Sequence, residues 1–215
     1  MNILHCPDSF FTPDFQDVPI LSVVGYVDPA SSFLSPLGDY HHISLPLQDA
    51  LWTMSIRPPH MINGYSSSLF RLHFDHTVYC LNTLRNMDNS ALPWSILSSS
   101  RNEPCIKLVR SLFRPKNSDR LAVPNPYGPW HVNFLHTPSI TRRWDPNPMP
   151  IYCSDGSLCW PNDWINALGG SLARVTFGIR CVQSPSITLP NHRSQSVTFK
   201  AGIIHRVDIL HNMYE

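Results

Sequence analysis

Apolar and polar side chains alternate most regularly near the C-terminus. Along Gly202 to Leu210, Ile203, His205, Val207 and Ile209 fall on one face of an extended chain, and Ile204, Arg206, Asp208 and Leu210 on the other. The pattern predicts a half-buried strand, with Arg206 and Asp208 as a same-face pair at the rim of a sheet or beside a binding groove. The same period recurs upstream. Trp52, Met54 and Ile56 alternate with Thr53, Ser55 and Arg57 before the Pro58-Pro59 stop, and Phe70, Leu72, Phe74, Val78 and Cys80 hold even positions interrupted only at His76. Further strands are predicted at Ile20 to Tyr26, Leu92 to Leu97 and Val175 to Cys181.

A helical period is read between Asn102 and Pro115. Ile106, Val109, Leu112 and Phe113 make one apolar stripe, Asn102 suits the N-cap, Pro104 the first turn, and Arg114-Pro115 the end. Lys107 and Arg110 then face outward. A second, shorter helix follows Asn162 as its cap and is weakened at Gly169-Gly170. The fold class predicted is α+β: a mainly antiparallel sheet with one or two helices packed on it.

Proline divides the chain. The 21 prolines among 215 residues are close to twice the usual share. Pro7, Pro13, Pro19, Pro29 and Pro36 make residues 1–40 an irregular N-terminal arm, and residues 41–215 a single α+β domain. Within that domain, 116–161 is a loop-like insertion rich in proline and aromatics, of a length uncommon in a compact domain unless it binds something or is disordered.

Composition narrows the class. A hydrophobic content of 42% is too high for a chain kept unfolded by charge. The net charge of +1 hides an asymmetry: residues 1–100 carry three basic and eight acidic side chains, residues 101–215 thirteen and seven. Either the two fields cancel as the halves fold together, or the C-terminal half presents a basic face to nucleic acid or to an acidic partner. The six cysteines form no C-x-x-C pair and no zinc-ribbon spacing. Cys153 and Cys159 flank an Asp155-Gly156 turn and are a candidate disulfide or redox pair. The N-terminus has no basic segment leading into an apolar run, and no uncharged apolar run approaches the roughly 18 residues of a membrane span. The expectation is an intracellular protein, cytoplasmic or nuclear, without a membrane partner.

Catalytic signatures are absent from the sequence. It contains no G-x-S-x-G elbow and neither G-x-x-x-x-G-K-[ST] nor G-x-G-x-x-G. His73-Phe74-Asp75-His76 offers metal-ligating side chains, but in a strand His73 and Asp75 share a face that His76 leaves. No catalytic residue, cofactor or metal ligand is assigned.

Three segments carry a family resemblance: Trp52-Thr53-Met54-Ser55-Ile56-Arg57-Pro58-Pro59, Leu92-Pro93-Trp94-Ser95-Ile96 and Gly202-Ile203-Ile204-His205-Arg206-Val207-Asp208-Ile209-Leu210. In this order they resemble a domain family of mushroom-forming fungi (basidiomycetes) with W-D-L-R-x-P-P-like, L-P-W and G-x-x-R-V-D-x-L segments. Thr53 stands where that family usually has an acidic residue, and 116–182 matches poorly. The resemblance implies a small α+β domain of unknown activity and supplies no catalytic residue.

The function expected first is a non-enzymatic protein-interaction module with an unknown protein partner. Its candidate surface is Tyr127, Trp130, Arg142, Arg143, Trp144, Trp160, Arg206 and Asp208, because rigid proline-rich loops present aromatics at low entropic cost. The alternative is nucleic-acid binding by the basic half, where Arg110, Arg114, Lys116, Arg120, Arg142 and Arg143 accompany Tyr127, Trp130 and Trp144. A metal-assisted hydrolase is the second alternative.

Overall fold

A long strand at the C-terminus has two edges to satisfy, and the architecture follows from how the chain does so. The computed structural model describes residues 20–35, 38–39, 50–59, 67–100, 103–116, 142–183, 187–188, 194–195 and 198–211. In chain order the elements are β1 (Ile20–Val27), β2 (Leu51–Arg57), α1 (Ser67–Met87), β3 (Leu97–Ser100), β4 (Glu103–Ser111), β5 (Phe113–Pro115), β6 (Trp144–Pro146), β7 (Ile151–Tyr152), α2 (Trp164–Leu168), β8 (Leu172–Gln183), β9 (Ile187–Thr188), β10 (Ser194–Gln195) and β11 (Thr198–His211). One edge of β11 lies antiparallel on β8 from Thr198 opposite Gln183 to His211 opposite Leu172. Three segments share the other edge. Trp94 bridges Lys200 in parallel, β4 pairs at Gly202 and Ile203, and β7 pairs at Val207 and Asp208.

The β4–β11 pairing closes the sheet on itself. Its strands run β4-β2-β1-β8-β11 and return to β4, with every contact antiparallel except the last. The result is a small five-stranded barrel with β3 added beside β4 and β7 beside β11. Closure leaves no free edge among the five. Even β2 is paired beyond the reach of β1: the chain turns through a short 3-10 segment, Pro29–Ser31, and Phe33 then exchanges backbone bonds with Thr53. Asp28 fixes that turn by accepting from the Ala30 N–H and the Ser31 hydroxyl while its carboxylate meets Arg57 Nε at 3.2 Å.

The interior is narrow. Trp52, Met54 and Ile56 of β2, Ile106 and Leu108 of β4, Val175 and Phe177 of β8, and Ile204 and Val207 of β11 are fully buried. Gly202 is where β11 comes nearest β4: a Cβ there would sit 2.5 Å from Leu108 Cδ2 and 3.3 Å from Phe177 Cδ2. Phe74 of α1 reaches the interior at Gly25, and Thr77 ties the helix to β1 through the Ser22 carbonyl at 3.0 Å. Trp164 of α2 meets Trp52 edge to face at 5.3 Å.

Two elements differ from the sequence expectation. The stretch Phe70 to Cys80 is part of helix α1, not a strand. Its buried residues Phe74, Thr77 and Leu81 follow a helical spacing, while Leu72, an apolar member of the alternating set, is 65% exposed. His76, the residue that broke the alternation, lies on the outer face. Asn102 to Pro115 is not a helix but the strands β4 and β5, because β4 has partners on both edges in β2, β3 and β11. The inward row there includes Arg110, 8% exposed, and a charged side chain at an interior position hid the period of two.

The strand expected at Ile20 to Tyr26, within the residues 1–40 read as an irregular N-terminal arm, is present as β1 and lies between β2 and β8 in the barrel. The loop-like insertion at 116–161 contributes β6 and β7. The expected strands at 175–181 and 202–210 are present and longer, as β8 and β11. The Leu92 to Leu97 segment divides into a bridge at Trp94 and the start of β3. Helix α2 begins after Asp163, with no side-chain cap bond. Residues 1–19 and the insertion between 117 and 141 lie outside the described residues.

If the interior is as full as this packing indicates, Gly202→Ala forces β4 and β11 apart and lowers the unfolding free energy by about 1–3 kcal/mol. Urea denaturation monitored by tryptophan fluorescence measures it, and an unchanged midpoint contradicts the account.

Candidate functional site

The parting of β4 and β11 sets up the chemistry around it. Beyond Ile204 the register between β11 and β8 shifts at a bulge containing His205, so Ile204 and Val207, an odd number of residues apart, both turn inward. The Ile204 carbonyl accepts a bond from Arg110 Nη1 at 2.7 Å. The same guanidinium donates to the Asn147 carbonyl at 3.2 Å and to Asn147 Oδ1 at 2.7 Å, and Asn147 Nδ2 donates to the Ser111 carbonyl at 3.0 Å. Arg110 therefore clasps β4, β11 and the segment after β6. It was a candidate for phosphate contact on an outer helical face, and its burial in this clasp withdraws it from that role. His205 beside it is held well below the ordinary histidine range, at about 4, by burial first and by the positive charges of Arg110 and Arg180.

A two-stranded ribbon leaves the barrel next to the clasp. Phe113 pairs with Pro146, Arg114 with Asp145 and Pro115 with Trp144, and the Lys116 N–H donates to the Arg143 carbonyl at 3.0 Å, which continues the ladder by one pair. Phe113 is buried and anchors the ribbon, while Lys116, Arg142 and Arg143 are exposed and Trp144 is half-buried. Two segments separated by more than twenty residues thus bring four bases together around one carboxylate. Like charges opposite one another across a ladder repel, so Lys116 and Arg143 sit in an arrangement that an anion relieves.

A second polar group lies on the outside of β11. Arg206 is in contact with Asp208 through Nε at 2.8 Å and Nη2 at 2.7 Å, and its guanidinium stands 4.1 Å from the centre of the Tyr152 ring. Tyr152 arrives there because β7 pairs in parallel with β11, opposite Asp208. Asp208 is also opposite the exposed Arg174 of β8. At the start of β11, Lys200 meets the Asp88 carboxylate at 2.7 Å, and Trp94 Nε1 donates to the same group at 2.8 Å. Bonds from Lys200, Trp94 and Ser90 hold the Asp88 carboxyl well below its usual range.

Of the residues singled out in the sequence, Arg142, Arg143 and Trp144 meet in the ribbon with Arg114 and Lys116, and Arg206 and Asp208 form the expected pair. Trp160 is 49% exposed on the segment leading into α2. Tyr127, Trp130 and Arg120 lie outside the described residues. Tyr152 was missed, since nothing local announces that a two-residue strand will pair with one more than fifty residues away. His73 and His76 lie on α1, where Asp75 is engaged by Arg71 at 3.1 Å. Among the described residues no group of three or more His, Cys, Asp or Glu side chains is placed to hold a metal ion. Among them, too, no helix is long and apolar enough to cross a membrane.

No protein-family profile matches the chain, and neither does any curated protein sequence. Among solved structures, the chain is similar to gp2.5, a single-stranded DNA binding protein encoded by bacteriophage T7. The TM-score is 0.43 at 11% identity, over 91% of this chain and 87% of that one.

The depressed His205 has a consequence for stability. Its folded value lies below the ordinary 6.5, so the unfolded chain binds the extra proton, and this contribution is fully present above about pH 6.5. It is lost as pH falls from there through about 4, at a cost on the order of 2–3 kcal/mol. The difference in urea midpoint between wild type and His205→Gln should narrow over that window; a difference independent of pH removes the assignment.

Proposed function

We propose that this chain binds single-stranded nucleic acid, with the β5–β6 ribbon as its principal phosphate contact. The observation that carries the reading is the pairing that sets exposed Lys116 opposite exposed Arg143, on the ribbon face that also carries Arg114, with exposed Arg142 next in the chain. Ammonium and guanidinium groups on a narrow ribbon follow a phosphate backbone. The barrel supports the reading by analogy of architecture alone, as small five-stranded Greek-key barrels include oligonucleotide binders. Arg206, stacked on Tyr152 and oriented by Asp208, adds a planar cation to the same half of the chain.

Binding of a fluorescent single-stranded oligonucleotide, followed by anisotropy, tests this. Three phosphate contacts give a slope of about −2 in log affinity against log salt. Replacing Lys116 and Arg143 by alanine lowers the slope by about 1.4 and costs about a hundredfold in affinity near 50 mM salt. Both side chains are exposed, so folding should be unaffected. Absent binding, or binding indifferent to salt, overturns the reading.

A second reading, the protein-interaction module, is favoured by one observation. Leu69, Leu72 and Tyr79 are each at least 65% exposed and follow one stripe along α1. On this reading Leu72→Glu with Tyr79→Glu abolishes a protein complex isolated with the wild type and leaves oligonucleotide affinity unchanged. A complex that survives the double variant excludes α1 as its contact.

A further inference from the structure

After β7 the chain doubles back over Cys153 to Cys159. The turn is closed by backbone bonds: Gly156 N–H to the Cys153 carbonyl at 2.9 Å, Cys153 N–H to Ser157 at 2.8 Å, and Cys159 N–H to Ile151 at 2.8 Å. Asp155 accepts the Ser157 N–H at 2.8 Å, and Gly156 takes a φ of 81°, a conformation in which glycine carries no side-chain penalty. Tyr152 stands opposite Leu158 in this antiparallel pair. Cys153 and Cys159 consequently occupy diagonal positions on one face of this antiparallel pair. Cys153 is half-buried and Cys159 buried.

We propose that Cys153 and Cys159 are a reversible disulfide site, oxidised by a small-molecule disulfide. The Cys153 thiolate attacks one sulfur of the oxidant. The oxidant's S–S bond breaks, one half leaves as a thiolate that takes up a proton, and Cys153 carries the other half as a mixed disulfide. Cys159 then gives up its proton and attacks the Cys153 sulfur, releasing the second half as a thiol. Two protein thiols are oxidised and one small disulfide is reduced to two thiols. Cys153 attacks first because it is the accessible member. Burial, with Cys153 adding to the shift, raises the Cys159 thiol above its ordinary range, so Cys159 is not the first to attack. In the second step its small thiolate fraction is offset by its high effective concentration at the Cys153 sulfur.

The turn is already folded, so oxidation spends little loop-closure entropy, and the effective concentration of one thiol at the other exceeds that of competitors in solution. The site also adjoins Tyr152, whose ring carries Arg206. Oxidation is therefore placed to alter that contact, and the inference does not depend on the nucleic-acid reading.

The test uses the full chain treated with oxidised glutathione, alkylated with iodoacetamide and mapped by peptide mass spectrometry. Cys153 and Cys159 should both escape alkylation and appear as one linked peptide lacking two hydrogens; dithiothreitol should restore alkylation at both. In Cys153→Ser the linked peptide should vanish and Cys159 should remain free of glutathione. A persistent glutathione adduct on Cys153 with Cys159 still free overturns the proposal. So does alkylation of both after oxidant, or a link from either to Cys80 or Cys181.

Discussion

The bond from Arg110 to the Ile204 carbonyl marks the constraint on which the fold turns. β8 follows one edge of β11 along its whole length, but on the other edge no single strand does. Here β4 stays with β11 for two pairs and then departs, and β7 does not pair until Val207. The interval exposes backbone groups that the interior cannot leave unsatisfied. Arg110 fills it with a long side chain and several donors, and the Val207 N–H is satisfied by the Pro150 carbonyl at 2.9 Å. The positive charge is buried here because it spans three pieces of backbone at once, a task no apolar side chain performs.

That solution has local consequences. Burial first, and then the charge of the guanidinium, keep His205 neutral inside a bulge that also reverses the facing of the strand. Below the bulge, β11 turns Val207 and Ile209 inward and Arg206 and Asp208 outward. The Arg206, Asp208 and Tyr152 group thus owes its position to the irregularity that the clasp stabilises. Asn147, which shares the clasp, also fixes where the ribbon departs, since its N–H donates to the Leu112 carbonyl at 2.7 Å.

The α+β class was legible, and so were β2, β8 and β11, because apolar and polar side chains alternate along each in the sequence; in β2 the polar row of Thr53 and Ser55 is buried as well. The exceptions have physical causes. In β4 an interior arginine breaks the apolar row, so the remaining apolar positions fit a helix as readily as a strand. In α1 exposed Leu72 and half-buried Cys80 filled out an alternating set over Phe70 to Cys80, a window too short to separate the two periods. Its clearest signal was proline: none occurs between Pro59 and Pro93, in a chain otherwise dense with it. For the candidate site, bases near one another in sequence were visible, but the register that sets Lys116 against Arg143, or Tyr152 against Asp208, belongs to tertiary pairing and leaves no local trace.

The ribbon and the clasp use the same kind of side chain to opposite ends, and burial separates them. Arg110 has its donors directed at carbonyl oxygens and is 8% exposed, so the backbone already occupies its charge. Lys116 and Arg143 face each other in water, where solvent screens their repulsion to a fraction of a kcal/mol and the ribbon tolerates it. Under the reading proposed above, a polyanion would gain two cations set opposite one another in one ladder and release its own counterions. The ribbon's strands are short, so their alignment depends on the barrel end, where buried Phe113 pairs with Pro146 and Asn147 bonds back to Leu112. The cationic surface is therefore pre-positioned by the barrel's own packing, and the same asparagine serves both.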